Sequence, residues 1–181
     1  MAKRRTQQEW IEAAIAAFSR EGVGGVKVER LARGLGVTKG SFYWHFTDRR
    51  ALLDAVLEAW AEQGTAAIID AVEASPGDAG DKLRTLWGLA NGAGEQAFEV
   101  ALREWGRVDP EVRAAIRRVD QDRMAYLRKL MLEHGVAPDR VEAKCLLMYS
   151  LLIGDWFIDV KHGRKSRKRV LSDALDVLLD R

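Results

Sequence analysis

The chain holds one cysteine, three prolines and three histidines. A lone Cys145 cannot close an internal disulfide, and in its apolar surroundings a buried structural thiol is favoured over a redox sensor. His45, His134 and His162 are too dispersed to build a metal site, and no Cys or His occurs at ligand spacing. No run of eighteen apolar residues exists, so no transmembrane helix is expected. The opening MAKRRTQQEW lacks the apolar core of a secretion signal. A cytoplasmic protein with no membrane partner follows from those two absences. No Gly-rich phosphate loop, nucleophile elbow or close carboxylate pair appears in a supporting context, so neither catalytic residues nor cofactors are expected. Strand alternation, internal repeats and low-complexity segments are missing as well. Pro76, Pro110 and Pro138 each stand where a helix should begin or a loop should sit. An all-α chain of about nine helices is the result.

Charge is unevenly placed along it. Residues 1–50 carry ten Lys or Arg against five Asp or Glu, a net +5, while the whole chain carries only +2. The remainder is therefore −3, and a basic head precedes a mildly acidic body. Phosphate neutralisation with counterion release would act at the head.

Within that head, residues 26–52 read VKVERLARGLGVTKGSFYWHFTDRRAL. Val28, Leu31, Ala32 and Leu35 recur at helical spacing, with Glu29, Arg30 and Arg33 on the other face. Gly36 follows the last apolar residue, where a left-handed C-cap carries no steric penalty for glycine. Thr38 offers a hydroxyl as N-cap of the next helix, on which Val37, Phe42 and Phe46 face inward. Thr47 or Asp48 caps another helix with Leu52, Leu53, Val56, Leu57 and Trp60 along one stripe. An earlier helix, from about Thr6 to Arg20, buries Trp10, Ile11, Ala14, Ile15 and Phe18 as scaffold. The pattern is a helix-turn-helix whose second helix presents a polar and aromatic face to the major groove.

This run resembles the DNA-binding domain of TetR/AcrR-family transcriptional regulators. The matching positions are Gly36, Thr38, Gly40, Phe42, Tyr43, His45, Phe46 and Arg49, within roughly the first 60 residues. Many members carry Leu where Phe42 stands, and Trp44 occupies a variable position. Expected DNA contacts are Lys27, Thr38, Lys39, Gly40, Ser41, Tyr43, Trp44, His45 and Arg49. Lys39 and Trp44 are assigned to base edges, by donation to guanine and by apolar contact with a thymine methyl. The resemblance implies phosphate contacts for Tyr43 and His45; Thr38 and Ser41 join them, and Lys27 and Arg49 sit near helix starts that favour phosphate. Lys3, Arg4 and Arg5 form either a DNA-binding arm or a solvated terminus.

Two domains are expected: a DNA-binding domain at 1–47 and a ligand-binding and dimerisation domain at 48–181, linked by a helix at 48–74. Further helices are expected at about Asp81–Asn91, Gly94–Arg107, Asp109–His134, Pro138–His162 and Ser166–Leu179, with a loop at 74–80. Cys145 to Gly154, CLLMYSLLIG, has no charge in ten residues, so this helix is covered on more than one side. Either it is central in a monomer or, as the resemblance implies, it pairs with the last helix in a four-helix dimer interface. Met148, Leu151, Leu152, Asp155, Leu171, Leu175 and Leu178 are the interface candidates. The resemblance also implies a small-molecule pocket. Trp60, Trp87, Asn91, Phe98, Arg103, Trp105, Tyr126 and Trp156 are its candidate lining for an apolar or aromatic ligand, with Glu95, Asp155 and Phe157 nearby. The basic stretch 161–169, KHGRKSRKR, is expected to be a solvated loop. The function expected is a homodimeric repressor released from a palindromic operator by a ligand. The alternative is a helix-turn-helix regulator without an effector.

Overall fold

A computed structural model describes residues 5–92 and 96–180. Among the described residues there are nine helices and no strand. They are α1 (Gln7–Glu21), α2 (Val28–Leu35), α3 (Lys39–Phe42), α4, α5 (Ala79–Ala90), α6 (Gln96–Val108), α7 (Pro110–Glu133), α8 (Pro138–Asp155) and α9 (Arg167–Leu179). Helix α4 comprises Arg49–Ala59 and Thr65–Glu73, joined by a π-helical turn at Trp60–Gly64. The chain divides into two compact units, residues 1–64 with 93–118 and residues 65–92 with 119–181.

The first unit grows from local signals. Thr6 caps α1 in a reciprocal box: its hydroxyl accepts from the Glu9 N–H at 3.2 Å, and the Glu9 carboxylate accepts from the Thr6 N–H at 2.7 Å. Such a cap contributes about 1 kcal/mol. Trp10, Ile11, Ala14, Ala17 and Phe18 form the buried face of α1, with Ile15 only half-buried. That face packs on α4 and α6, where Phe18 meets the rings of Phe98 at 5.1 Å and Trp105 at 5.8 Å. Gly36 takes φ +70°, ending α2 in the left-handed cap that its sequence position requires. Asp48, not Thr47, caps α4 by accepting from the Ala51 N–H at 2.9 Å.

The second unit is built around Val72, Leu83, Trp87, Leu127, Leu130, Met131, Cys145, Met148 and Leu175, all buried. Burial pushes the Cys145 thiol up to about 11, so it stays protonated and inert at neutral pH. Asp78 caps α5 through the N–H groups of Gly80 and Asp81, so this helix starts inside the expected 74–80 loop. Helix α8 stops at Asp155, short of the expected His162. Its end is held from a distance: Arg167 at the start of α9 donates to the Asp155 carbonyl at 2.7 Å and pairs with its carboxylate at 2.6 Å.

On the same unit Glu73 accepts from Lys82, from Lys129 at 2.7 Å and from the Tyr126 hydroxyl at 3.1 Å. The Lys129 and Lys82 hydrogen bonds hold its carboxyl at about 2, below the ordinary 4.5. A depressed carboxylate stabilises the folded state above its ordinary pKa and loses that contribution as pH falls through the folded value. The stability difference between wild type and Glu73→Gln should therefore be constant near neutrality and shrink from about pH 4.5 towards about 2. Denaturant midpoints across that range test it, and a difference independent of pH would refute it.

Candidate nucleic-acid interface

Helices α2 and α3 meet at Gly36, and the segment after the turn is shorter than its sequence suggests. Only Lys39–Phe42 is α-helical, after which His45 and Phe46 continue the turn by donating their N–H groups to the Phe42 carbonyl at 2.9 and 3.0 Å. Thr38 stands at the N-cap with extended backbone (φ −80°, ψ 156°), but its hydroxyl makes no cap hydrogen bond, contrary to expectation. Phe42 anchors the segment. It is fully buried, edge-on to Trp10 at 5.3 Å and stacked with Phe46 at 5.5 Å.

With Phe42 and Phe46 turned inward, the intervening positions face out. Trp44 is 78% exposed and Tyr43 is 55% exposed, the latter edge-on to Phe42 at 5.3 Å. These two exposed rings make the outer side of the turn the candidate contact face. Thr38, Lys39 and Gly40 are exposed beside them, and Ser41 and His45 are half-buried. A Cβ added at Gly40 would meet only the Thr38 hydroxyl, at 3.7 Å, so nothing within the chain demands glycine there. Lys27 is exposed at the N-cap of α2. These eight of the nine sequence candidates are thus exposed or half-buried, seven of them on or beside the turn and Lys27 at the start of α2.

Arg49, the ninth, is placed differently. Its guanidinium donates to the carbonyls of Val26, at 2.6 Å, and Val23, clamping the loop after α1 to the start of α4. Arg5 also belongs to the folded head, donating to the Leu35 carbonyl at 2.8 Å and pairing with Glu9 at 2.6 Å. Lys3 and Arg4, the rest of the expected arm, lie outside the described residues. Arg50 is engaged by Asp54 and Asp109, each at 2.7 Å, and Glu111 at 2.6 Å, and lies over the Trp105 ring. Its charge therefore serves the joint between α4 and α7. Lys39 pairs with Glu29 at 2.6 Å across the turn; the hydrogen bond raises the lysine pKa and lowers that of the carboxylate.

The ligand candidates divide between the units. In the first, Trp60 donates its indole N–H to the buried Glu99 at 3.0 Å, and Arg103 reaches the same carboxylate at 3.4 Å. Sequence reasoning missed Glu99, since a carboxylate inside an amphipathic helix normally reads as solvated. Phe98 and Trp105 pack on Phe18 as core. In the second unit Trp87 is core, Asn91 donates to the Trp87 carbonyl at 2.9 Å at the end of its own helix, and Tyr126 bonds Glu73. Trp156 is half-buried with its indole nitrogen buried and without a hydrogen-bond partner. Glu95 lies outside the described residues.

The interface candidates differ in how far their own chain covers them. Met148 and Leu175 are covered by their own chain, and Leu151, Leu152, Leu171 and Leu178 pack against the same core. Asp155 is taken up by Arg167. Among the described residues of α8 and α9, the exposed large apolar side chains are Leu146 at 59%, Leu147 at 58% and Val177 at 72%. In the basic stretch Lys165 and Arg169 pair with Asp173, at 2.8 and 2.9 Å. No helix among the described residues is long and apolar enough to cross a membrane, and no group of three metal-ligating residues occurs among them.

Comparison with known proteins places this geometry. Residues 11–56 match the model for bacterial regulatory proteins of the tetR family. The chain is 42% identical over 52 residues to the HTH-type transcriptional regulator SrpR of Pseudomonas putida, a match covering 29% of this chain and 24% of that protein. The chain thus spans only about a quarter of the length of that relative. Over the full length, the chain is similar to a transcriptional regulator of the TetR/AcrR family from Thermobifida fusca, with TM-score 0.68, 18% identity and 96% of both chains covered. It is also similar to AibR, solved in complex with isovaleryl coenzyme A and operator DNA, with TM-score 0.72 and 15% identity over 96% of this chain and 97% of that one.

Proposed function

Because residues 11–56 make this chain a member of the tetR family of bacterial regulatory proteins, we propose that it is a DNA-binding transcriptional repressor. It acts as a homodimer on a palindromic operator, and a small molecule releases it. The observation that carries the reading is the outward face of the turn, where Lys39, Tyr43 and Trp44 stand exposed over a buried Phe42. Lys39 and Trp44 reach base edges, and Thr38, Ser41, Tyr43 and His45 hold phosphate oxygens.

A single head of this size contacts one half-site, and two-fold operators are matched by two-fold proteins. The outward residues Leu146, Leu147 and Val177 are the proposed meeting surface of two copies. Within the first unit the π turn at Trp60–Gly64 is the proposed point of control. There Glu99 pins the Trp60 indole, and π turns interrupt the regular helical ladder at functional sites. A ligand that favours one arrangement of this contact would re-aim the first segment of α4, provided its affinity differs between the two states. An apolar or aromatic effector fits the Trp-rich candidates, and AibR, a structural neighbour, carries an acyl coenzyme A. The packing of Phe98 and Trp105 as core favours a second reading, a regulator without an effector.

The test is selection of duplexes from a randomised pool by the purified protein. Tyr43→Phe combined with His45→Ala should then weaken the selected duplex and an unrelated one by similar factors. It should also flatten the salt dependence by about one to two charges. Unchanged binding would remove both residues from the interface.

A further inference from the structure

The acidic residues of the head are held in different ways. Glu9 closes the α1 cap and binds Arg5. Glu21 pairs with Arg30 at 2.5 Å, and both residues precede the turn. Glu29 is different, because its partner Lys39 belongs to the reading segment itself. The pair joins α2 to α3 across the turn at 2.6 Å, with both side chains more than half exposed. A carboxylate beside a DNA-facing surface repels phosphate, so its placement there has a cost that its effect on Lys39 can explain.

We propose that Glu29 is a specificity-determining positioning residue: it holds the Lys39 ammonium ready for one guanine and withholds it from the phosphates of unrelated DNA. The inference rests on the DNA-binding reading above. An ammonium has three donors, so Lys39 can keep one hydrogen bond to Glu29 while offering the others to guanine O6 and N7 in the major groove. On unrelated DNA the available acceptor is a backbone phosphate. To reach it, the long and flexible lysine must leave Glu29, and the exposed carboxylate then faces the phosphates without its partner. Specificity arises as much from this penalty as from the guanine contact, since discrimination is a difference between two affinities.

The experiment compares wild type, Glu29→Gln, Lys39→Met and the double variant. The probes are a duplex selected by the wild-type protein and an unrelated duplex of equal length, each over a salt series. Glu29 and Lys39 are exposed, so folding is preserved, and circular dichroism verifies it. Glu29→Gln should tighten the unrelated duplex by about threefold to tenfold while changing the selected one by less than about twofold. Its salt dependence on the unrelated duplex should steepen by about one charge. In the Lys39→Met background the same substitution should leave the ratio of the two affinities unaltered. Equal tightening on both duplexes would overturn the proposal, because it would show a general charge effect. An equal change of ratio with and without Lys39 would overturn it too. A wild-type protein that selects no sequence at all would instead overturn the DNA-binding reading, and this inference with it.

Discussion

Phe42→Ala should lower the stability of the head by about 3–5 kcal/mol, the cost of truncating a fully buried aromatic, and should abolish DNA binding without removing one DNA contact. Phe42 is 0% exposed and joins three rings: Trp10 beneath it, Tyr43 beside it and Phe46 stacked on it. The α-helical part of the reading segment is only four residues long, so its conformation depends on this anchor far more than on helix propensity. Truncation leaves a cavity beneath Tyr43 and Trp44, and the outward face loses its support. Phe42→Leu retains most of the volume and should cost less than about 1.5 kcal/mol. Urea unfolding of both variants, together with DNA binding, checks the pair. A stable Ala variant that still binds would show that the segment holds itself.

Leu147→Glu should convert the proposed dimer into monomers and reduce affinity for a two-fold duplex by about a hundredfold or more, while leaving each chain folded. The side chain is 58% exposed on α8, beside Leu146 and with Val177 outward on α9. In a two-fold interface the same patch serves both copies, so each new carboxylate is buried in apolar surroundings at an uncompensated cost. Sedimentation at micromolar protein reads the oligomeric state. Met148→Glu is the contrast: Met148 is 4% exposed and sits in the second unit's core, so that change should unfold the unit instead of separating copies. A Leu147→Glu dimer of unchanged stability would move the interface away from α8.

The head was legible in the sequence because its signals are local. Gly36 had to be left-handed, the first helix was placed to start at about Thr6, and Phe42 and Phe46 lie four residues apart around an exposed pair. The site was less legible wherever a side chain had two possible destinations. Arg49 read as a phosphate contact, yet its guanidinium is directed to the carbonyls of Val23 and Val26, and Arg50, counted in the basic head, is taken up by three carboxylates. In the run from Cys145 to Gly154 every position is apolar or uncharged, so periodicity could not say which face turns inward. Of the interface candidates in that run Met148 is buried, Leu151 and Leu152 are partly buried against the same core, and the adjacent Leu146 and Leu147 are exposed.

By itself the sequence determined an all-helical chain, the helix-turn-helix and its outward aromatic pair, because caps, a left-handed glycine and i, i+4 spacing act within a few residues. Tertiary structure alone decided which charges are available and which apolar faces remain outside. It also decided that Glu99 is buried against Trp60, that α4 breaks into a π turn, and that α8 ends at Asp155 under Arg167. The physical reason is range. A cap or turn is satisfied by neighbours in the chain, whereas a guanidinium or carboxylate is satisfied by whichever partner folding brings near. For Glu99 that partner lies thirty-nine residues away.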